Sequence, residues 1–195
     1  MTRALAALAL SVGIFVLPPA TASAQEPTQD DMAAMLEAVS PDEHHQVLEA
    51  YTGTWNHALK FYSAPDAQPM EMTATSVAEM TMGGRYLVSR FDGSFLGAPF
   101  EGLETVGYDK VKGKYFSLWY DNMSTGPMVL WGDWDPSTNT LTLEVTVSDP
   151  LTGNPEVAVR NTSQLLDDGS IHYENWGPGP DGQVFKMMEV HSTRQ

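Results

Sequence analysis

The sequence predicts an all-β protein: an antiparallel up-and-down β-barrel of about ten strands behind a short N-terminal helical segment. Three observations predict it. Turn chemistry recurs at Gly83-Gly84, Lys112-Gly113, Asp135 to Asn139, Asp149 to Gly153, Asp167-Asp168-Gly169 and Gly177 to Gly182. Between these turns the residues alternate: Leu141, Leu143, Val145 and Val147 interleave with Thr140, Thr142, Glu144 and Thr146, and Trp55, His57, Leu59 and Phe61 share one parity. No crossover helices separate the runs, which argues against parallel pairing. A meander of this many twisted strands removes its edges by closing, and a two-sheet sandwich is the alternative.

The first residues follow the pattern of a secretory signal. Arg3 gives the positive start, Ala4 to Leu17 the apolar run, and Pro18-Pro19 a break, before Ala22-Ser23-Ala24. The expected cut follows Ala24, leaving a chain that starts near Gln25 and is periplasmic or secreted; an uncleaved N-terminal anchor is the alternative. Residues 25–52 read as a helical lead-in and 53–195 as the barrel. A short helix is expected over Met32 to Val39, capped by Asp30 or Asp31. A second starts at Ser40-Pro41-Asp42-Glu43, with Ser40 as cap, and runs to about Tyr51. Strands are expected near 53–63, 70–81, 84–95, 99–109, 113–121, 126–135, 138–148, 155–166, 169–176 and 182–194.

Composition excludes several function classes. The formal net charge is −15, and losing Arg3 makes it one unit more negative. Such a surface repels nucleic acid and anionic membranes, so neither is an expected partner, and no membrane contact is expected after signal cleavage. Cysteine is absent, so stability rests on burial and backbone pairing without disulfides. The oligomeric state is open.

Two patterns resemble known families. Gly53-Thr54-Trp55 directly after a short helix resembles the Gly-x-Trp start of the lipocalin-type (calycin) barrels. That resemblance implies that Trp55 plugs the barrel base and that Arg194, ending the last strand, packs across it. A longer series is similar to the bacterial domain-of-unknown-function family 1579: Met82 to Leu87, Gly102 to Asp109, Trp119 to Thr125, Asp149 to Gly153 and Phe185 to Glu189. That family implies no established activity. A further comparison, with the ten-stranded haem barrels called nitrobindins, brings His191 forward as the C-terminal histidine, but Asn56-His57-Ala58-Leu59 stands where their first strand repeats a glycine motif. No cofactor is expected.

No catalytic or metal-binding motif is present. There is no Gly-x-Ser-x-Gly elbow, no His-Glu-x-x-His and no acidic calcium loop, and prolines in Gly177 to Gly182 rule out a phosphate loop. His44 and His45 are adjacent on a helix, point about 100° apart and read as solvated. The strongest constellation is Arg85 with Glu104, either a ligand-orienting pair inside the barrel or a satisfied core ion pair. Trp119 and Asp121 share one strand face; Asp121 either binds a polar ligand group or caps the turn that follows. Met70, Met72, Met80 and Met82 share parity. They suit a cavity for apolar ligands, or adaptable core filling, or soft copper(I) ligation, although no metal site is expected. The expectation is therefore a binding module whose barrel holds a small hydrophobic ligand through Met70, Met72, Arg85, Glu104, Trp119 and Asp121, closed by Trp55 and Arg194. The alternatives are an isomerase or hydrolase acting on a small hydrophobic compound, and a structural or partner-binding domain with a filled core.

Overall fold

The computed structural model describes residues 28–147, 156–179 and 181–195. The expected signal segment, the Asp149 to Gly153 motif and Pro180 lie outside the described residues. Two helices, α1 (Gln29–Ala38) and α2 (Glu43–Glu49), precede ten strands. The strands are β1 (Gly53–Phe61), β2 (Met70–Thr81), β3 (Tyr86–Phe95), β4 (Ala98–Asp109), β5 (Lys114–Asp121), β6 (Met128–Asp135), β7 (Thr140–Val147), β8 (Val157–Leu165), β9 (Ile171–Pro178) and β10 (Val184–Arg194). Each strand lies within two residues of its expected limits.

Every strand pairs antiparallel with its sequence neighbours, and β1 pairs with β10 from Trp55↔Arg194 to Phe61↔Met188, so the ring is closed and the sandwich alternative falls. Alternation sets the two walls. On β1, Trp55, His57 and Leu59 face inward while Asn56, Ala58 and Lys60 are exposed. On β7, Leu141 and Leu143 are buried.

The helix starts differ from the sequence expectation. Thr28 caps α1, and Asp31, expected as a cap candidate, instead completes the box by accepting from the Thr28 backbone N–H at 2.9 Å. Asp42 rather than Ser40 caps α2, accepting from the His44 N–H at 3.1 Å. Ser40 instead donates its hydroxyl to the Leu36 carbonyl at 2.7 Å, finishing α1. A proline between Ser40 and Asp42 has no N–H to offer, so the acid beyond it becomes the nearer acceptor for the first free amides. His45 is buried rather than solvated, with Nδ1 2.9 Å from Asp42 Oδ1. His44 stacks on Tyr108 at 4.1 Å between ring centroids.

The packed core sits at the barrel end that α2 covers. Leu48 and Tyr51 from the α2 segment meet Trp55, Ala78, Leu87, Val106, Tyr115, Leu130, Leu141, Leu143 and Ile171. Trp55 is 2% exposed and its indole N–H donates to the Tyr51 carbonyl at 2.9 Å. The Arg194 guanidinium lies 4.4 Å from the Trp55 ring centre and donates to the Thr52 and Ala50 carbonyls, joining the last strand to the C-terminal end of α2. Gly53 is required for this closure on two counts. Its φ is +123°, and a Cβ there would stand 2.6 Å from Arg194 Nη1.

Candidate functional site

Beyond that packed end the inner wall changes character. Inward positions on β1, β2, β3, β5 and β10 carry His57, Ser76, Ser89, Ser117 and Ser192, and β4 carries Glu104. Glu104 sits opposite Ser89 on β3 and Trp119 on β5. Ser117, its diagonal neighbour, donates its hydroxyl to Glu104 Oε1 at 2.7 Å. No ion pair among the described residues reaches Glu104. Burial pushes its carboxyl above the ordinary value, against the opposing effect of the Ser117 bond. Burial also raises the Tyr51 and Tyr173 phenols, and the charge of Glu104 raises both further, so the two rings share its electrostatic surroundings.

His57 crosses the same tier. Its Nδ1 lies 2.8 Å from Ser192 Oγ and its Nε2 2.8 Å from Ser76 Oγ. Burial lowers its pKa to about 4, so at neutral pH it is an uncharged ring that donates to one serine and accepts from the other. Asn175 donates to Asn161 Oδ1 at 2.6 Å, adding an amide pair on the inner faces of β8 and β9.

An aromatic wall adjoins this polar tier. Phe91 and Trp119 lie 5.3 Å apart, Phe100 and Trp119 6.3 Å, and His57 and Phe91 5.4 Å. The Trp119 indole lies over Gly102, where a Cβ would stand 2.6 Å from its ring. Its N–H donates to Asp121 Oδ2 at 2.8 Å, while Asp121 Oδ1 accepts from the Met123 N–H at 2.9 Å. Asp121 is thus the turn cap and the anchor of Trp119 at once. Glu104, Phe91, Phe100, Trp119, Tyr173 and Asn175 all face inward yet are half-buried rather than buried, in contrast to the sealed core at the other end.

The sequence-predicted residues divide accordingly. Glu104, Trp119 and Asp121 come together on β4 and β5, and Met70 and Met72 face inward near the start of β2. Arg85 does not join them. It belongs to the turn before β3, and its guanidinium donates to the Val39 carbonyl at 2.8 Å and the Met82 carbonyl at 3.0 Å. The expected Arg85–Glu104 pair is therefore absent, because the strand phase sets Ser89, not Arg85, against Glu104. Met82 also leaves the methionine face, since it lies in the same turn and is 74% exposed. The sequence reading missed His57 and its two serines. The available signal was small polar residues recurring at the inward parity of strands otherwise apolar on that face.

His191 is exposed on the outer wall, and His57, inside, has both ring nitrogens engaged. These residues do not fit a haem held within the barrel by a C-terminal histidine. Among the described residues no group of three or more His, Asp or Glu side chains is placed to hold a metal ion.

The outer wall carries carboxylates in the opposite state. Lys186 donates to Glu174 Oε1 at 3.0 Å and to Glu189, and Trp176 donates to Glu174 Oε2 at 3.0 Å. The Lys186 bond holds Glu189 below its ordinary value; partial burial pushes Glu174 up, but the bonds from Lys186, Trp176 and His172 outweigh it. Two open grooves cross this wall. One of about 620 Å³ is lined by Val129, Trp131, Arg160, Trp176 and Val184, the other, of about 560 Å³, by Asn56, Thr73, Asp92 and His191. Neither contains Glu104 or Ser117, and both lack a buried charged group.

Comparison with known proteins agrees with the architecture. The crystal structure of Rv2717c from M. tuberculosis superposes with a TM-score of 0.58 at 15% identity, covering 80% of this chain and 99% of that one, a likeness of fold alone. No curated protein matches the chain significantly. The family described as "Protein of unknown function (DUF1579)" matches residues 40–194, from just before α2 through the last strand. The chain belongs to the DUF1579 family.

Proposed function

We propose that this barrel binds a small, largely apolar molecule in its interior and orients it by a polar end. The observation that carries the reading is Glu104: an inward carboxyl with one hydroxyl partner, set among half-buried aromatic rings. A chain that needs only a filled core gains nothing from this placement, because a carboxyl drawn partly out of water with a single partner is destabilising. Each apolar group the guest buries against Phe91, Trp119, Met70 and Met72 contributes roughly 1.5–3 kcal/mol, offset in part by the ordering of both partners. We further propose that the protein works after export, in the periplasm or outside the cell, on the strength of Arg3, the apolar run to Leu17 and Ala22-Ser23-Ala24.

A neutral hydrophobic fluorophore, N-phenyl-1-naphthylamine, tests the cavity. Its emission should rise on mixing with the purified protein, with energy transfer from tryptophan. Leu59→Trp, which fills inward space on β1, should abolish most of the rise, whereas Val184→Lys in the outer groove should leave it unchanged. The reverse pattern would move the site to the outer wall.

A further inference from the structure

The barrel interior also selects the chemistry of its guest, an inference that rests on the cavity reading above. Its charge is one-sided. Lys60 and Lys186 pair with outer carboxylates, Lys114 with Asp133 and Lys110 with Asp42. Arg160 and Lys112 lie over the outer Trp176 and Trp131 rings, Arg90 is exposed, Arg85 reaches α1, and Arg194 is spent on Trp55. Glu104 is left inside without a cation.

Its Oε1 is taken by Ser117, and among the described residues no buried side-chain oxygen is left sealed without a partner. The second oxygen, for which no described residue supplies a hydrogen-bond donor, is therefore not sealed within the wall. On the neighbouring inward positions stand Trp119, the strand partner of Glu104, and Phe91, diagonal to it, with Phe100 stacked against Trp119.

A carboxylate flanked by aromatic rings is complementary to an ammonium group: the carboxylate takes its hydrogen bonds and the π-faces attract its charge. A fatty acid or other anion meets the opposite field, with no cation inside to receive it. The overall charge of −15 works in the same direction, concentrating cations around the molecule. We propose that the barrel interior is a binding site for a small organic amine, held as its ammonium form by Glu104 with its apolar body against Trp119 and Phe91. In the free protein, burial favours the protonated carboxyl. The guest brings the positive charge that the interior lacks among the described residues.

Isothermal titration of three probes with the same ring tests this: 2-phenylethylamine, 2-phenylethanol and 3-phenylpropionate. The amine should bind at least tenfold more tightly than the alcohol, and the carboxylate should bind least. Glu104→Gln, close to isosteric, should remove the amine's advantage over the alcohol. Equal or tighter binding of the alcohol or the carboxylate to the wild-type chain would overturn the proposal, as would amine binding indifferent to Glu104→Gln. The order of the three probes on the wild-type chain decides without any variant. If none of the three binds while the naphthylamine fluorophore still lights up, the amine assignment alone fails; if both are silent, the cavity itself is refuted.

Discussion

The two ends of the barrel interior are built on the same ten strands and come out as opposites. At the end covered by α2, inward positions carry Trp55, Leu87, Val106, Tyr115, Leu130 and Leu141, and the space is filled and sealed. Further along the wall, inward positions carry His57, Ser76, Ser89, Glu104, Ser117 and Ser192, small or polar groups, most of which hydrogen-bond to one another instead of packing as an apolar core. The strand pattern fixes which side chains look inward; side-chain volume decides whether the interior is solid. One end is held by apolar packing, while the other carries polar groups, among them a carboxyl with a single hydroxyl partner. The same contrast runs through the wall at the carboxylates: Glu174 and Glu189 outside are bonded to Lys186 and easily ionised, while Glu104 inside resists ionisation.

The sharpest way to break this contrast is at the sealed end. Trp55→Ala removes the plug, the stacking of Arg194 and the bond to the Tyr51 carbonyl together. It should lower the unfolding free energy by about 3–5 kcal/mol in urea denaturation. An intermediate effect is expected from pH acting on the polar tier. The folded value of Glu104 lies above its ordinary 4.5, so the folded state binds more protons and stability declines as pH rises through that interval. Glu104→Gln without ligand should therefore have a higher Tm than the wild type at pH 8, the difference shrinking toward pH 4. His57 acts with the opposite sign: its folded value near 4 lies below the ordinary 6.5, so its contribution is lost as pH falls from 6.5 toward 4. Circular dichroism melts across pH 4–9 on both proteins check the two slopes. The smallest effect belongs to the outer wall. Lys186→Met breaks a partly exposed network and should cost less than about 1 kcal/mol, diminishing further in salt.

Much of the architecture was legible in the sequence, and for identifiable reasons. Strand limits followed the turns because a residue such as Gly113 or Gly169, at φ +64° and +80°, marks where the chain must reverse. The roles of Trp55 and Arg194 came from the resemblance of Gly53-Thr54-Trp55 to the start of lipocalin-type barrels, and the structure places the Arg194 guanidinium over the Trp55 ring. The site was only half legible. Parity grouped Trp119 with Asp121 on one face of β5 and set Glu104 on the more apolar face of β4, since a period of two carries over whole strands, but with aromatics on both faces of β5 it left open which of them points inward. It failed at Arg85 because parity has meaning only inside a strand, and β3 starts one residue later. The His57 tier was hidden because its members lie on β1, β2 and β10, and only ring closure brings Ser192 to His57.

The clasp of Arg194 on the α2 carbonyls has a consequence for how the molecule comes into being. The bond to Thr52 spans 142 positions, and the β1–β10 seam depends on the strand that is made last. Nine strands without the tenth leave β1 and β9 as open edges, with Trp55 uncovered by its guanidinium. Such a chain gains little from partial assembly and acquires its fold late, as long-range pairing requires. Until β10 pairs, whatever meets the chain meets the unpaired strands β1 and β9.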